Sequence, residues 1–299
     1  MVNLVIKSNS FGKFSSCIQE FKKLNINFIN SREDKDYKFL INKADTLILD
    51  TSNLNRIIKK TKKLKYIYRI GKGIDNLDLK LLKEKKIKYK CFYDDISNSV
   101  SELILSLILN LARRVNISDN MIKNNMWAKL NGYTLNELKV GFLGFGEIAF
   151  NSALKLSKIT QNDIYYYDND RNKKIILKNK FKYLSLRSLF KECDVISINI
   201  PYTNDTKNLI NKKLFSLTKK NFMMVNTSRG GIVNENDLYE HLKKNKESYV
   251  AMDVFKKEPY YGNLCKLNNI ILTPHIGSLT YEFRSKVELN ILKEIKKYV

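Results

Sequence analysis

Proline is nearly absent, at 3 residues in 299, and glycine is sparse at 11. That argues against long disordered linkers. Cysteine is limited to Cys17, Cys91, Cys193 and Cys265, far apart and without a C-x-x-C pair. The spacing excludes a clustered set of soft metal ligands and a disulfide framework, so the expectation is scattered, reduced thiols and no metal. No apolar run reaches the roughly 20 residues of a membrane helix. The opening MVNLVIKSNS reads as a strand and lacks the basic-then-apolar layout of a signal peptide. A cytoplasmic location without membrane association is therefore expected.

Acid is also in short supply. Lys and Arg number 54 against 30 Asp and Glu, for a net charge of +24. Such an excess invites a nucleic-acid partner. A binding surface would gather its lysines locally. Here they recur in nearly every predicted helix, as at Lys59, Lys60, Lys62 and Lys63, at Lys83, Lys85 and Lys86, and at Lys243, Lys244 and Lys246. The excess reads as compositional, no nucleic-acid partner is expected, and the field would still draw in small anions.

What the chain does have is 43% apolar residues. Its length suits one large or two ordinary domains. The first hundred residues alternate β-rich runs (Leu4–Ile6, Ile26–Ile29, Thr46–Leu49, Tyr66–Arg69, Ile87–Tyr89) with Lys-faced helical stretches, including 53–63 and 78–86. That alternation predicts a parallel sheet with helices on both faces. A long helix follows, which Ser97 or Ser99 can cap, with Glu102 completing a capping box. Its run Leu103–Ala112 is apolar almost all round and must be buried, in the core or against a second subunit. A second series of six strands begins at Val140 and continues at Ile164, Val195, Phe222, Tyr249 and Ile270. The last stretch, Glu282–Lys297, reads as one amphipathic helix packing back on the first half. The expectation is an α/β chain of two doubly wound parallel-sheet domains. One is flavodoxin-like and discontinuous (1–97 and 279–299); the other is a Rossmann domain (98–278).

The strand Val140–Leu143 runs into Gly144-Phe145-Gly146-Glu147-Ile148-Ala149 and then a helix. In this G-x-G-x-x-A pattern the first glycine permits a tight turn and the second lets the backbone approach a pyrophosphate. Ala149 permits close helix–strand packing, and free amides at the helix start receive the phosphate. Asp168 ends the next strand, where it can accept from ribose hydroxyls and repel a 2′-phosphate, favouring NAD over NADP.

There are two histidines. His241 sits in a Lys-rich helical stretch and reads as solvated surface. His275 follows the strand Ile270–Leu272, at the carboxyl end where open parallel sheets bind ligands, and an imidazole there can exchange a proton near neutral pH. Arg229 follows another strand and offers a planar fork for a carboxylate. Glu258 follows a third and can fix the tautomer of His275.

These segments closely resemble the D-isomer-specific 2-hydroxyacid dehydrogenases, which include members acting on phosphoglycerate, glycerate and glyoxylate/hydroxypyruvate. The resemblance runs through Arg69–Asn76, Ser99–Leu103, the G-x-G turn and Asp194–Pro201. It is strongest in Val225–Gly231, Met252–Phe255 and Leu272–Gly277. It implies an NAD-dependent oxidoreductase acting on a small 2-hydroxy or 2-keto acid. By the same implication, His275 is the acid/base, Glu258 is its partner and Arg229 binds the carboxylate and keto oxygen. Backbone amides around Lys72 and Gly73 hold the carboxylate. Gly144, Gly146, Glu147, Ile148, Asp168, Ile200, Thr227, Ser228, Arg229, Asp253, His275 and Gly277 line the NAD site, and the molecule is a homodimer. A non-catalytic NAD-responsive protein on the same fold is the alternative. Departures from the family pattern are Glu147, where a basic residue is usual, and Asn199, where His is common. At Asp50, phosphoglycerate-acting members carry Arg. The acid at Asp50 predicts a substrate with a hydroxyl in place of the phosphate.

Overall fold

Residues 2–8, 11–12, 19–20, 23, 26–30, 37–170 and 181–297 are described by a computed structural model. Cys17 lies outside them. The chain divides into two compact units, one made of Met1–Ile96 with Ser278–Val299 and the other of Ser97–Gly277.

The first unit holds five parallel strands, β1 (Val2–Lys7), β2 (Ile26–Asn30), β3 (Thr46–Leu49), β4 (Tyr66–Ile70) and β5 (Lys88–Phe92), in the order β2-β1-β3-β4-β5. Successive side chains on a strand point to opposite faces, and here both faces are apolar. Leu4, Ile6, Ile48, Tyr68 and Phe92 turn toward the helix Tyr281–Ile295, whose Phe283, Val287 and Ile291 complete that core. Val5, Leu47, Leu49 and Ile67 turn the other way, onto Ile41, Ile58, Leu81 and Leu82. Fully burying one such side chain contributes about 1.5–3 kcal/mol, which is why a parallel sheet needs helices on both sides.

The second unit holds seven parallel strands: β6 (Val140–Leu143), β7 (Ile164–Tyr167), β8 (Phe181–Tyr183), β9 (Val195–Ile198), β10 (Met223–Asn226), β11 (Tyr249–Met252) and β12 (Ile270–Leu272). Their order is β12-β11-β10-β9-β6-β7-β8. The winding direction reverses between β6 and β9, the crevice where such sheets bind ligands. The expected count of six strands is corrected to seven by β8. Its Phe181 ring packs edge-on against Phe145 at 5.4 Å, and Phe145 stacks on Tyr166 at 4.4 Å. This aromatic cluster ties β7 and β8 to the G-x-G turn.

Two other expectations change. The long helix spans Ile96–Arg113, so Ser97 and Ser99 lie inside it and no capping box forms there. It is buried along Val100, Ile104, Leu107, Ile108 and Leu111, while Leu109 is exposed. His241 is not solvated surface. Its ring stacks on Phe215 at 4.9 Å and meets Phe222 edge-on at 6.4 Å. No helix among the described residues is long and apolar enough to cross a membrane.

Candidate active site

The reversal between β6 and β9 is shaped by Gly144. Its φ is +86°, and a Cβ there would lie 2.7 Å from the Asn199 carbonyl oxygen and 2.7 Å from Ile200 Cγ2. Only glycine accepts that backbone angle without strain and lets the two strand ends meet so closely. Gly146 is the opposite case, since a Cβ there would meet nothing within 4 Å. Gly146 caps the helix Glu147–Leu156 without any side-chain cap bond, so the first amides of that helix are available to an anion. Glu147 and Gly146 are exposed and Ile148 is half-buried. Asp168 follows β7, where its carboxylate accepts from the Phe145 amide at 2.7 Å and the Asp170 amide at 3.0 Å. It borders a cleft of about 470 Å³ with Tyr167, Asn169, Tyr183, Ser185, Leu186 and Arg187. An open helix start, a glycine with free space above it and an acid beside a cleft fit a dinucleotide. Glu147, exposed at the helix start, opposes a pyrophosphate by charge.

Arg229 lies after β10 in a turn locked by Asn226. The Asn226 side chain accepts from the Ser228 amide (3.1 Å) and hydroxyl (2.8 Å) and donates to the Arg229 carbonyl at 3.1 Å. Thr227 and Ser228 are half-buried within that turn. Gly230 then presses on the loop after β11, because a Cβ there would fall 1.9 Å from the Phe255 carbonyl carbon. No side chain fits, and that close approach brings Arg229 toward the loop carrying Glu258.

Glu258 and His275 meet. Nδ1 of His275 lies 2.9 Å from one Glu258 carboxylate oxygen and 3.2 Å from the other. The Phe255 amide donates to the same carboxylate at 3.0 Å. Burial raises the Glu258 pKa, but the hydrogen bond and charge of His275, the Phe255 amide and the Arg229 guanidinium together hold it below the ordinary glutamate value. Paired this way, Nδ1 of His275 faces the carboxylate and its tautomer is fixed, with Nε2 as the nitrogen left for a substrate. His275 has φ +57°, a left-handed conformation that costs a non-glycine residue about 1–3 kcal/mol.

Asp253 is fully buried just beyond β11. It accepts from the Thr273 hydroxyl at 2.6 Å, the Ile276 amide at 2.8 Å and the Gly277 amide at 2.9 Å. Burial pushes its carboxyl up, against these bonds and the charge of His275.

Lys72 and Gly73 belong to the first unit, after β4. Lys72 is exposed, with its ammonium 5.7 Å above the Tyr93 ring. Beneath that loop Arg69 is buried and donates through Nε to Asn76 at 3.2 Å. Asn76 in turn donates to the carbonyls of Asp50 and Ser52, both at 3.0 Å. Sequence reasoning missed the part played by Arg69, Asn76 and Gly230. The only signal was their place inside the motifs Arg69–Asn76 and Val225–Gly231.

Residues 105–277 match the family model described as the D-isomer specific 2-hydroxyacid dehydrogenase NAD binding domain. The chain belongs to that family. The D-2-hydroxyacid dehydrogenase is accordingly an NAD-dependent oxidoreductase acting on 2-hydroxy acids. It is 34% identical over 247 residues to a hydroxypyruvate reductase of Thermotoga maritima, covering 81% of this chain and 79% of that one. It is 31% identical over 260 residues to a glyoxylate reductase of Thermococcus litoralis, covering 84% and 78%. With a D-3-phosphoglycerate dehydrogenase of Methanocaldococcus jannaschii the identity is 34%, but the match spans 50% of that longer protein. The fold is similar to that of a D-lactate dehydrogenase from Aquifex aeolicus solved with NAD and lactic acid. There the TM-score is 0.83 at 25% identity, covering 99% of this chain and 95% of that one.

Proposed function

We propose that this dehydrogenase interconverts small, unphosphorylated 2-keto acids and their D-2-hydroxy acids, with His275, Glu258 and Arg229 carrying the chemistry. The observation that supports it most is the 2.9 Å pairing of His275 with Glu258 at strand ends, with Arg229 acting on the same carboxylate. Bound NAD supplies the hydride donor or acceptor. In reduction, His275 Nε2 gives a proton to the forming alkoxide, and Glu258 stabilises the imidazolium before that transfer. Arg229 binds the substrate carboxylate in two parallel hydrogen bonds and polarises the keto oxygen. In this reading the second unit holds the cofactor.

Asp50 supports the preference against phosphate. At the end of β3 its carboxylate accepts from the Ser52 amide at 3.1 Å and hydroxyl at 3.0 Å, so a phosphate at that strand end meets like charge. A panel of glyoxylate, hydroxypyruvate, pyruvate and 3-phosphohydroxypyruvate, read by loss of NADH absorbance, tests the reading. The first two should turn over fastest. Equal kcat/KM for the phosphorylated acid would reject the preference, and no turnover of any would reject the function.

The protein works as a homodimer. The helix Val115–Lys123 buries none of its residues. With the segment after it, this helix leaves Val115, Ile122, Met126 and Trp127 exposed, Trp127 by 85%. Clustered apolar exposure of this kind marks a protein interface. The thiols Cys91, Cys193 and Cys265 are free, and burial pushes Cys193 up to about 12, so that buried thiol stays protonated.

A further inference from the structure

We infer that Asp253 is a positioning residue that holds the His275 turn in its left-handed form, an assignment that rests on the proposed role of His275. Both supports of His275 come from one loop. Glu258 holds the ring through Nδ1 at 2.9 Å, and Asp253 holds the Thr273 hydroxyl before it and the Ile276 and Gly277 amides after it.

The chain from Thr273 to Gly277 curls around the Asp253 carboxylate. One oxygen, Oδ1, takes the Thr273 hydroxyl at 2.6 Å and the Ile276 amide at 2.8 Å. The other, Oδ2, takes the Gly277 amide at 2.9 Å. His275 lies in the middle of that curl, its own amide bonded to the Thr273 carbonyl at 3.0 Å, with φ +57°. That conformation is uncommon for a residue other than glycine and persists where its surroundings hold it. Three donors converging on one buried carboxylate do so, because an opened turn would leave that carboxylate buried without its partners. Gly277 closes the fit, since a Cβ there would sit 3.3 Å from Asp253 Oδ2. Asp253 is itself fixed, as its amide donates to the Asn226 carbonyl at 2.9 Å. The same aspartate therefore joins the end of β10, where Arg229 follows, to the end of β12, where His275 follows.

The chain carries only His241 and His275, so histidine labelled with ¹⁵N gives a readable spectrum of the cofactor-free protein. In Asp253→Asn one oxygen becomes a donor and cannot accept from both sides. The His275 nitrogen signals should then leave the positions of the Glu258-bonded tautomer, while those of His241 stay in place. The kcat should fall about 10- to 100-fold, as expected for a misplaced acid/base group. Thr273→Val removes only the hydroxyl bond and should shift the same signals by less, and Thr273→Ser should restore them, so a destabilised Asp253→Asn does not end the test. Unmoved His275 signals in Asp253→Asn, or Thr273→Ser behaving like Thr273→Val, would overturn the assignment. The spectra need neither cofactor nor substrate. A wild-type chain inert toward every 2-keto acid would count against the dehydrogenase reading alone.

Discussion

In the proposed mechanism the imidazole of His275 is the group on which proton transfer turns, and its orientation is set by neighbours it does not share an element with. His275→Ala should lower kcat by about 10²–10⁴, the usual contribution of a positioned acid/base, and leave NADH affinity nearly unchanged in a fluorescence titration. Activity equal to wild type would remove His275 from the mechanism. Arg229→Lys should raise KM for the keto acid and lower kcat, because an ammonium is a point charge and cannot reproduce the planar fork. Steady-state kinetics decide this, and unaltered constants would count against the bidentate role. Each residue is individually ordinary: a strand-end arginine, a loop glutamate and a histidine after Thr-Pro. Their residue types and strand-end positions were legible in the sequence. So was the pairing of Glu258 with His275; the ring of donors around Asp253 was not, because two of its three bonds come from backbone amides more than 20 residues away that any residue supplies.

Loops and helices impose the next level of constraint. Gly230→Ala places a methyl where the Phe255 carbonyl carbon would be 1.9 Å away, so the loops after β10 and β11 must separate. A loss at or above the upper end of about 1–3 kcal/mol is expected, read as a lower urea midpoint, together with reduced turnover as Arg229 retreats from Glu258. The helix Glu235–Lys244 carries a pH dependence of its own. Burial lowers the His241 pKa from 6.5, so the unfolded chain binds more protons than the folded one just below that value. Stability should therefore fall as pH drops through 6.5 and level off below the folded-state pKa. His241→Phe keeps the stacking on Phe215 and should flatten the slope of Tm against pH in that window; an unchanged slope would contradict it.

The misreading of His241 has a physical origin. The lysines Lys243 and Lys244 dominate the local pattern, yet His241 lies three residues from Leu238 and beside Leu242, both fully buried, on the inward side of the helix. The strand β8 was missed because three residues, Phe181–Tyr183, are too short a run to show periodicity. Most other strands were legible because both faces of each sheet are covered, which leaves near-continuous apolar runs in the sequence; the edge strand β5 is the exception, exposed at its first three residues.

At the scale of the whole molecule, the exposed Trp127 is the residue through which the proposed dimer can be tested. Trp127→Arg should convert the proposed dimer to monomer in sedimentation analysis, since burying an unpaired charge in an apolar interface is costly. A variant that still sediments as a dimer would place the interface elsewhere. The two units also differ in how the chain builds them. The cofactor unit is continuous from Ser97 to Gly277, whereas the other is closed by Ser278–Val299, whose Phe283, Val287 and Ile291 fill one side of its sheet. Synthesis runs from the N-terminus, and continuous domains fold as they emerge. The sheet face of Leu4, Ile6 and Tyr68 must therefore wait uncovered until the helix Tyr281–Ile295 has been made. During that interval the nascent chain exposes one bare apolar sheet face, and the arrival of the helix Tyr281–Ile295 closes it.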